Sequence, residues 1–181
     1  TLTNGEAPKL NYPGVGDEAY LEAMLKWEEA PPEVQALYSY NPEKAKQLLK
    51  EAGYPNGFKT SIVTLATAAD NLAILKDYWS KIGVDLVFDV KETGAYNTIR
   101  DTHNYQDMAT GGGGGTGTTR IRGTHVTGGG YPNLSGISDP TVDEAITKIG
   151  KVMLTNPVEA METYKNLMKH VYYQSWTVSF P

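Results

Sequence analysis

The sequence predicts an α/β lobe with a small mixed, mainly parallel sheet flanked by helices, and three observations predict it. A β-branched stretch at Lys59–Leu65, a helically spaced apolar stretch and a second alternating stretch from Val84 to Val90 make a strand, helix, strand crossover. A connection of that length joins parallel strands in a right-handed sense, because its helix must fold back on a twisted sheet. Two more amphipathic helices close the chain. Its 181 residues suffice for one domain, burying roughly 70% of the surface that the unfolded chain exposes.

Each element has a local reason. Residues 1–40 are broken by Pro8, Pro13, Gly14, Gly16, Pro31 and Pro32. They read as an irregular surface segment packing on the lobe, with one short helix from Asp17 to about Glu29. Asn41 is an N-cap, Pro42 occupies the first helical position, Ala45, Leu48, Leu49 and Ala52 share a face, and Gly53 stops the helix. The Asn56-Gly57 turn leads into the first strand. Leu72, Leu75, Tyr78, Trp79 and Ile82 recur at helical spacing up to Gly83. Beyond the second strand, Ala95, Tyr96 and Ile99 predict a helix and Tyr105–Thr110 a third short strand. Asp139-Pro140 opens a helix with Val142, Ala145, Ile146, Ile149, Val152 and Met153 on its apolar stripe. Asn156-Pro157 opens the last one, with Glu159 placed for a capping box and Ala160, Tyr164, Leu167, Met168 and Val171 inward. The tail from Ser175 to Pro181 reads as the start of a strand, which suggests a longer parent protein. The expected division is therefore 1–40 and a lobe at 41–181.

Composition excludes several functions. The net charge is −5 with lysines scattered singly, so no basic stripe exists to neutralise nucleic acid phosphates. Cysteine is absent, which removes disulfides, thiolate metal sites and thiol nucleophiles. The chain has neither a signal segment nor an apolar run near 18 residues. No serine sits in a G-x-S-x-G elbow. His103, His125 and His170 lie far apart in sequence. Only Asp101, His103 and Asp107 cluster, without a known ligand spacing. Asn133-Leu134-Ser135 is a glycosylation sequon in spelling alone.

The segment YNPEKAKQLLKEAGYPNGF, residues 40–58, is similar to the helix and turn that open the C-terminal lobe of family 5 extracellular solute-binding proteins, the dipeptide- and oligopeptide-binding type. The likeness continues through Lys81-Ile82-Gly83-Val84, Ala95-Tyr96, Asp107-Met108 and SDPTVDEAI at 138–146, and so covers about residue 36 to the end. It implies a periplasmic-binding-protein-like lobe that closes over a solute against an N-terminal lobe of the same protein and delivers it to an ABC transporter permease. It also implies a periplasmic or outer-surface location, usually through a lipid anchor, with neither catalysis nor cofactor.

One stretch departs from that family. Peptide-binding members usually follow the third strand with a Gly-Trp pair and an aspartate that holds the peptide amine. Here residues 109–123 read ATGGGGGTGTTRIRG, with neither residue and with Arg120 and Arg122 added. Guanidinium groups pair bidentately with carboxylates, so the expected solute is a peptide or a carboxylate-bearing compound. Three readings of the glycine run stand open. Gly112, Gly114 and Gly117 fit a dinucleotide fingerprint, although TTRIRGTHVTGGG does not read as the helix that fingerprint needs and no Gly-Lys-Ser/Thr ending makes a P-loop. A bulged loop without ligand is the second, and a backbone cradle close to a solute the third. Thr110, Gly112, Gly113, Gly114, Arg120, Arg122, Tyr131 and Trp176 are the candidate ligand residues. Tyr172 and Tyr173 have the same stacking chemistry but sit at core spacing. The alternatives to solute capture are a small nucleotide-binding α/β domain and a surface interaction domain without transport.

Overall fold

The computed structural model describes residues 10, 24–111, 117–127 and 133–177. The chain forms two compact units. One is Tyr40–Gly112, and the other joins Thr1–Ser39 to Gly113–Pro181. The stretch 41–181, expected as one lobe, thus contributes to both.

In the first unit, helix α2 (Pro42–Glu51) begins as its sequence predicts, with the Asn41 side chain accepting from the Lys44 N–H at 2.9 Å. None of its residues is buried, and Leu48 stays half exposed. Strand β1 (Phe58–Thr64) and strand β2 (Val84–Val90) pair in parallel, from Phe58 opposite Val84 to Thr64 opposite Val90. Between them, α3 (Ala69–Ser80) lays Leu72, Leu75 and Trp79 over Ile62, Leu86 and Phe88. Tyr78 is left outward, edge-on to Tyr40 at 5.6 Å. After α4 (Thr93–Asp101), β3 (Met108–Ala109) joins the other side of β1, giving the order β2-β1-β3. The expected strand at Tyr105–Thr110 contracts to those two residues. Asp107 ends it, because its carboxylate accepts from the Ser61 N–H at 2.7 Å and hydroxyl at 2.9 Å instead of leaving Ser61 to a ladder bond. The three described strands are all parallel, so the mixed component expected of the sheet is not among them.

The second unit is helical. Helix α6 (Pro140–Val152) and helix α7 (Pro157–Gln174) face each other across Val142, Ile146, Ile149, Tyr164 and Met168. Asp139 caps α6 through the Thr141 and Val142 N–H groups, and Asn156 caps α7 through the Glu159 N–H at 3.3 Å. The N-terminal segment corrects the sequence reading. Leu10, Leu25, Ala30 and Val34 are buried in this same core, not on a surface. Pro32 starts a helix, α1 (Pro32–Leu37), instead of interrupting one, because a proline at the first helical position forfeits no hydrogen bond. Gln35 Nε2 ties it to the 3-10 turn Trp27–Glu29 through the Trp27 carbonyl at 2.9 Å. The expected helix from Asp17 lies largely outside the described residues, as do 178–181 of the tail.

Two glycines fix where β1 and β2 start. A Cβ on Gly57 would lie 1.8 Å from the Gly83 carbonyl oxygen, and both residues have positive φ, +75° and +87°. Gly53, also at positive φ (+91°), has nothing within 4 Å of its Cβ position. Gly57→Ala should therefore destabilise the protein by about 3 kcal/mol or more through clash and strain together, and Gly53→Ala by only about 1 kcal/mol through strain alone. Urea unfolding of the two variants beside the parent checks this; equal losses would refute the contact.

Candidate functional site

In an open parallel sheet, ligands bind outside the carboxyl ends of the strands. In this chain those ends are Thr64, Val90 and Ala109, with Thr110 next. Thr64 is fully buried, Tyr96 from α4 is 5% exposed, and Thr110 is half-buried. Their hydroxyls meet: Thr110 Oγ1 lies 3.2 Å from Thr64 Oγ1 and 3.2 Å from the Tyr96 hydroxyl, which donates to the Thr110 carbonyl. Charges nearby are engaged locally. Arg100 lies over the Tyr96 ring at 5.2 Å and pairs with Asp101, and Lys91 pairs with Asp89 at 2.8 Å. Gly112, Gly113 and Gly114 lie outside the described residues.

Arg120 and Arg122 belong to the other unit, on a helix that the sequence reading denied. Residues Gly117–His125 form α5. The reason is tertiary. Gly117, Ile121, Thr124 and His125 are buried at spacings of four, three and one residues, a helical seam that outweighs the weak propensity of threonine and glycine. That seam was the available sequence signal. The helix has a consequence for the arginines: residues two apart on a helix do not face each other, so Arg120 and Arg122 do not form a single fork. Arg120 is half-buried, while Arg122 is exposed and borders Gly150 of α6. One ground against a dinucleotide cradle therefore falls, since a helix does follow the glycines. No strand follows α5 among the described residues, so the βαβ unit that the fingerprint needs is not completed there.

Trp176 is half-buried against the helical core, between two imidazoles, with ring centroids 5.6 Å from His125 and 5.7 Å from His170. His170 Nε2 lies 2.9 Å from Asp139 Oδ2. Burial raises the Asp139 carboxyl, but the bonds from His170 and from two backbone N–H groups outweigh it and hold the group below its ordinary range. His125 and His170, far apart in sequence, are thus brought together here on either side of Trp176, which no spacing signals. Tyr131 lies outside the described residues. The acidic and histidine group at 101–107 is used otherwise: Asp101 pairs with Arg100, Asp107 with Ser61, and His103 lies edge-on to Tyr105. No three possible metal ligands converge among the described residues, and no helix there is long and apolar enough to cross a membrane.

Residues 9–123 match the family described as bacterial extracellular solute-binding proteins, family 5 Middle. Among curated proteins, "Heme-binding protein A" of Haemophilus influenzae is 48% identical over 54 residues, 26% of this chain and 10% of that protein. "Glutathione-binding protein GsiB" of Pectobacterium atrosepticum is 37% identical over 60 residues, 32% of this chain and 12% of that protein. Among solved structures, the ABC transporter-associated periplasmic binding protein DppA from Helicobacter pylori, in complex with the peptide STSA, superposes with a TM-score of 0.66 at 25% identity. That match covers 77% of this chain and 28% of DppA, so the chain spans a minor part of each of these proteins.

His125 generates a pH prediction. It is fully buried, and burial pushes its pKa from 6.5 down to about 4. Between those values the unfolded chain takes a proton that the folded chain refuses, so stability is full above pH 6.5 and declines as pH falls towards 4, by up to about 3 kcal/mol. His125→Leu should flatten the stability profile across that window, as read by urea unfolding at a series of pH values. An unchanged slope in the variant would assign the loss to other groups.

Proposed function

Because the chain belongs to the bacterial extracellular solute-binding proteins, family 5, we propose that it is part of a binding protein that captures a peptide or another carboxylate-bearing solute and delivers it to an ABC transporter permease. The protein is read as a carrier without catalysis or cofactor, working outside the cytoplasm, in the periplasm or on the outer face of the membrane through a lipid anchor. Its remaining partner is the N-terminal lobe of the same protein, which would close over the solute as hinged two-lobed proteins do. Nucleic acid is not a partner.

The observation that carries the reading is the family match over residues 9–123. The solute class rests on two supports. Residues 109–123 contain no acidic side chain that could hold a peptide amine, and they contain Arg120 and Arg122. Heme and glutathione, in the names of two relatives, and the peptide bound in the third differ in size and shape but all carry carboxylates, which a guanidinium binds bidentately. Since α5 turns its two arginines to different sides, one arginine holds the carboxylate, and the exposure of Arg122 leaves it available on the surface of α5.

A thermal-shift screen of the full-length protein against glutathione, short peptides, hemin and small dicarboxylates tests this. A solute at 100 times its dissociation constant adds about 2.7 kcal/mol, a rise of several degrees in midpoint. Arg120→Ala or Arg122→Ala, but not both, should abolish that rise. Loss in both variants would restore a two-arginine fork, loss in neither would remove arginine from the site, and silence towards every solute would overturn capture itself.

A further inference from the structure

The hydroxyl cluster at the strand ends can be counted proton by proton. Three hydroxyls bring three hydrogens. Tyr96 gives its hydrogen to the Thr110 carbonyl. Thr64 has the Leu65 carbonyl at 3.3 Å, and Thr110 has the Val63 carbonyl at 3.4 Å or either neighbouring hydroxyl at 3.2 Å. The Thr110 N–H is also engaged, donating to Val63 at 2.9 Å. Every hydrogen therefore has an acceptor inside the cluster: with the Tyr96 and Thr64 hydrogens placed on carbonyls, the single Thr110 hydroxyl hydrogen goes to one of its three oxygen neighbours. A satisfied buried network of this kind fixes geometry, because any displacement strands a polar group away from water.

The course of the main chain at this point depends on such an anchor. Strand β3 is two residues long and is registered only through Ile62 and Val63. Gly111, which follows Thr110, has nothing within 4 Å of its Cβ position. We infer that Tyr96 is the positioning residue of the strand-end site: its hydroxyl sets the main chain at Thr110 and Gly111, and the Thr110 hydroxyl serves this lock and not a solute. The inference rests on reading the strand ends as the solute-facing edge of the unit, and it reassigns Thr110 from contact to support.

A double-mutant cycle on the full-length protein, with Tyr96→Phe, Thr110→Val and both together, tests it in two arms. Without solute, amide hydrogen exchange at residues 110 and 111 should quicken roughly fivefold or more in each single variant, the worth of about one hydrogen bond. It should quicken little further in the double variant, because the two groups act as one. Thr110→Ser keeps the hydroxyl and should exchange as the parent does. Unchanged exchange in Tyr96→Phe overturns the lock, since that variant keeps the ring and loses only the bond. With glutathione as probe, Tyr96→Phe and Thr110→Val should weaken binding by similar factors. Weakening by Thr110→Val alone would make Thr110 a solute contact and refute the reassignment. Where glutathione gives no signal, the exchange arm still decides the lock, separately from the fate of the solute reading.

Discussion

The close approach of Gly57 to Gly83 sets the sheet-bearing unit. The two residues stand immediately before Phe58 and Val84, the first pair of the β1 to β2 ladder, and a Cβ on Gly57 would overlap the Gly83 backbone. In a parallel pair the register decides which side chains face the covering helix, and a slip of one residue would send Ile62 and Leu86 to the opposite face. Leu72 of α3, 1% exposed, packs against both. One backbone contact, possible only between glycines in the left-handed region, thus selects the apolar face, and the apolar face holds α3.

A register fixed at the amino ends of the strands is also fixed at their carboxyl ends, where Thr64 lies opposite Val90 and beside the exit of β3. A strand of two residues could not hold that exit by its ladder bonds alone. Asp107 ties one side of β3 to Ser61, and the Tyr96, Thr110 and Thr64 hydroxyls tie the other. The unit therefore spends hydrogen bonds between side chains where a longer strand would spend backbone ones, and the Thr110 hydroxyl, a candidate ligand donor in the sequence, takes part in them.

What the sequence discloses follows from which interactions are local. Asn41-Pro42, Asp139-Pro140 and Asn156-Pro157 each combine a capping side chain with a proline that forfeits no hydrogen bond, and each opens a helix at its expected residue. The crossover at 58–90 is equally visible, because one periodicity of 3.6 lies between two of 2. Pro31-Pro32 was obscure for the opposite reason: the same proline signal lacks a capping side chain before it, and Val34 reveals its burial only against α7. Helix α5 was hidden because its seam rests on one large apolar residue, Ile121, with glycine, threonine and histidine filling the other inward positions. The meeting of His125, His170 and Trp176 had no sequence signature, since packing of separate helices brings it about.

The hidden helix matters more for function than the visible ones. Read as an extended loop, residues 118–123 would carry Arg120 and Arg122 on the same side, as alternate residues of an extended chain are, and would present a double cation suited to a dianionic group. Read as a helix, they set Arg120 and Arg122 two residues apart on either side of the buried Ile121, positions that do not share a face. On the proposed reading, one solute carboxylate would meet a single guanidinium, and neutral groups would supply the remaining selectivity.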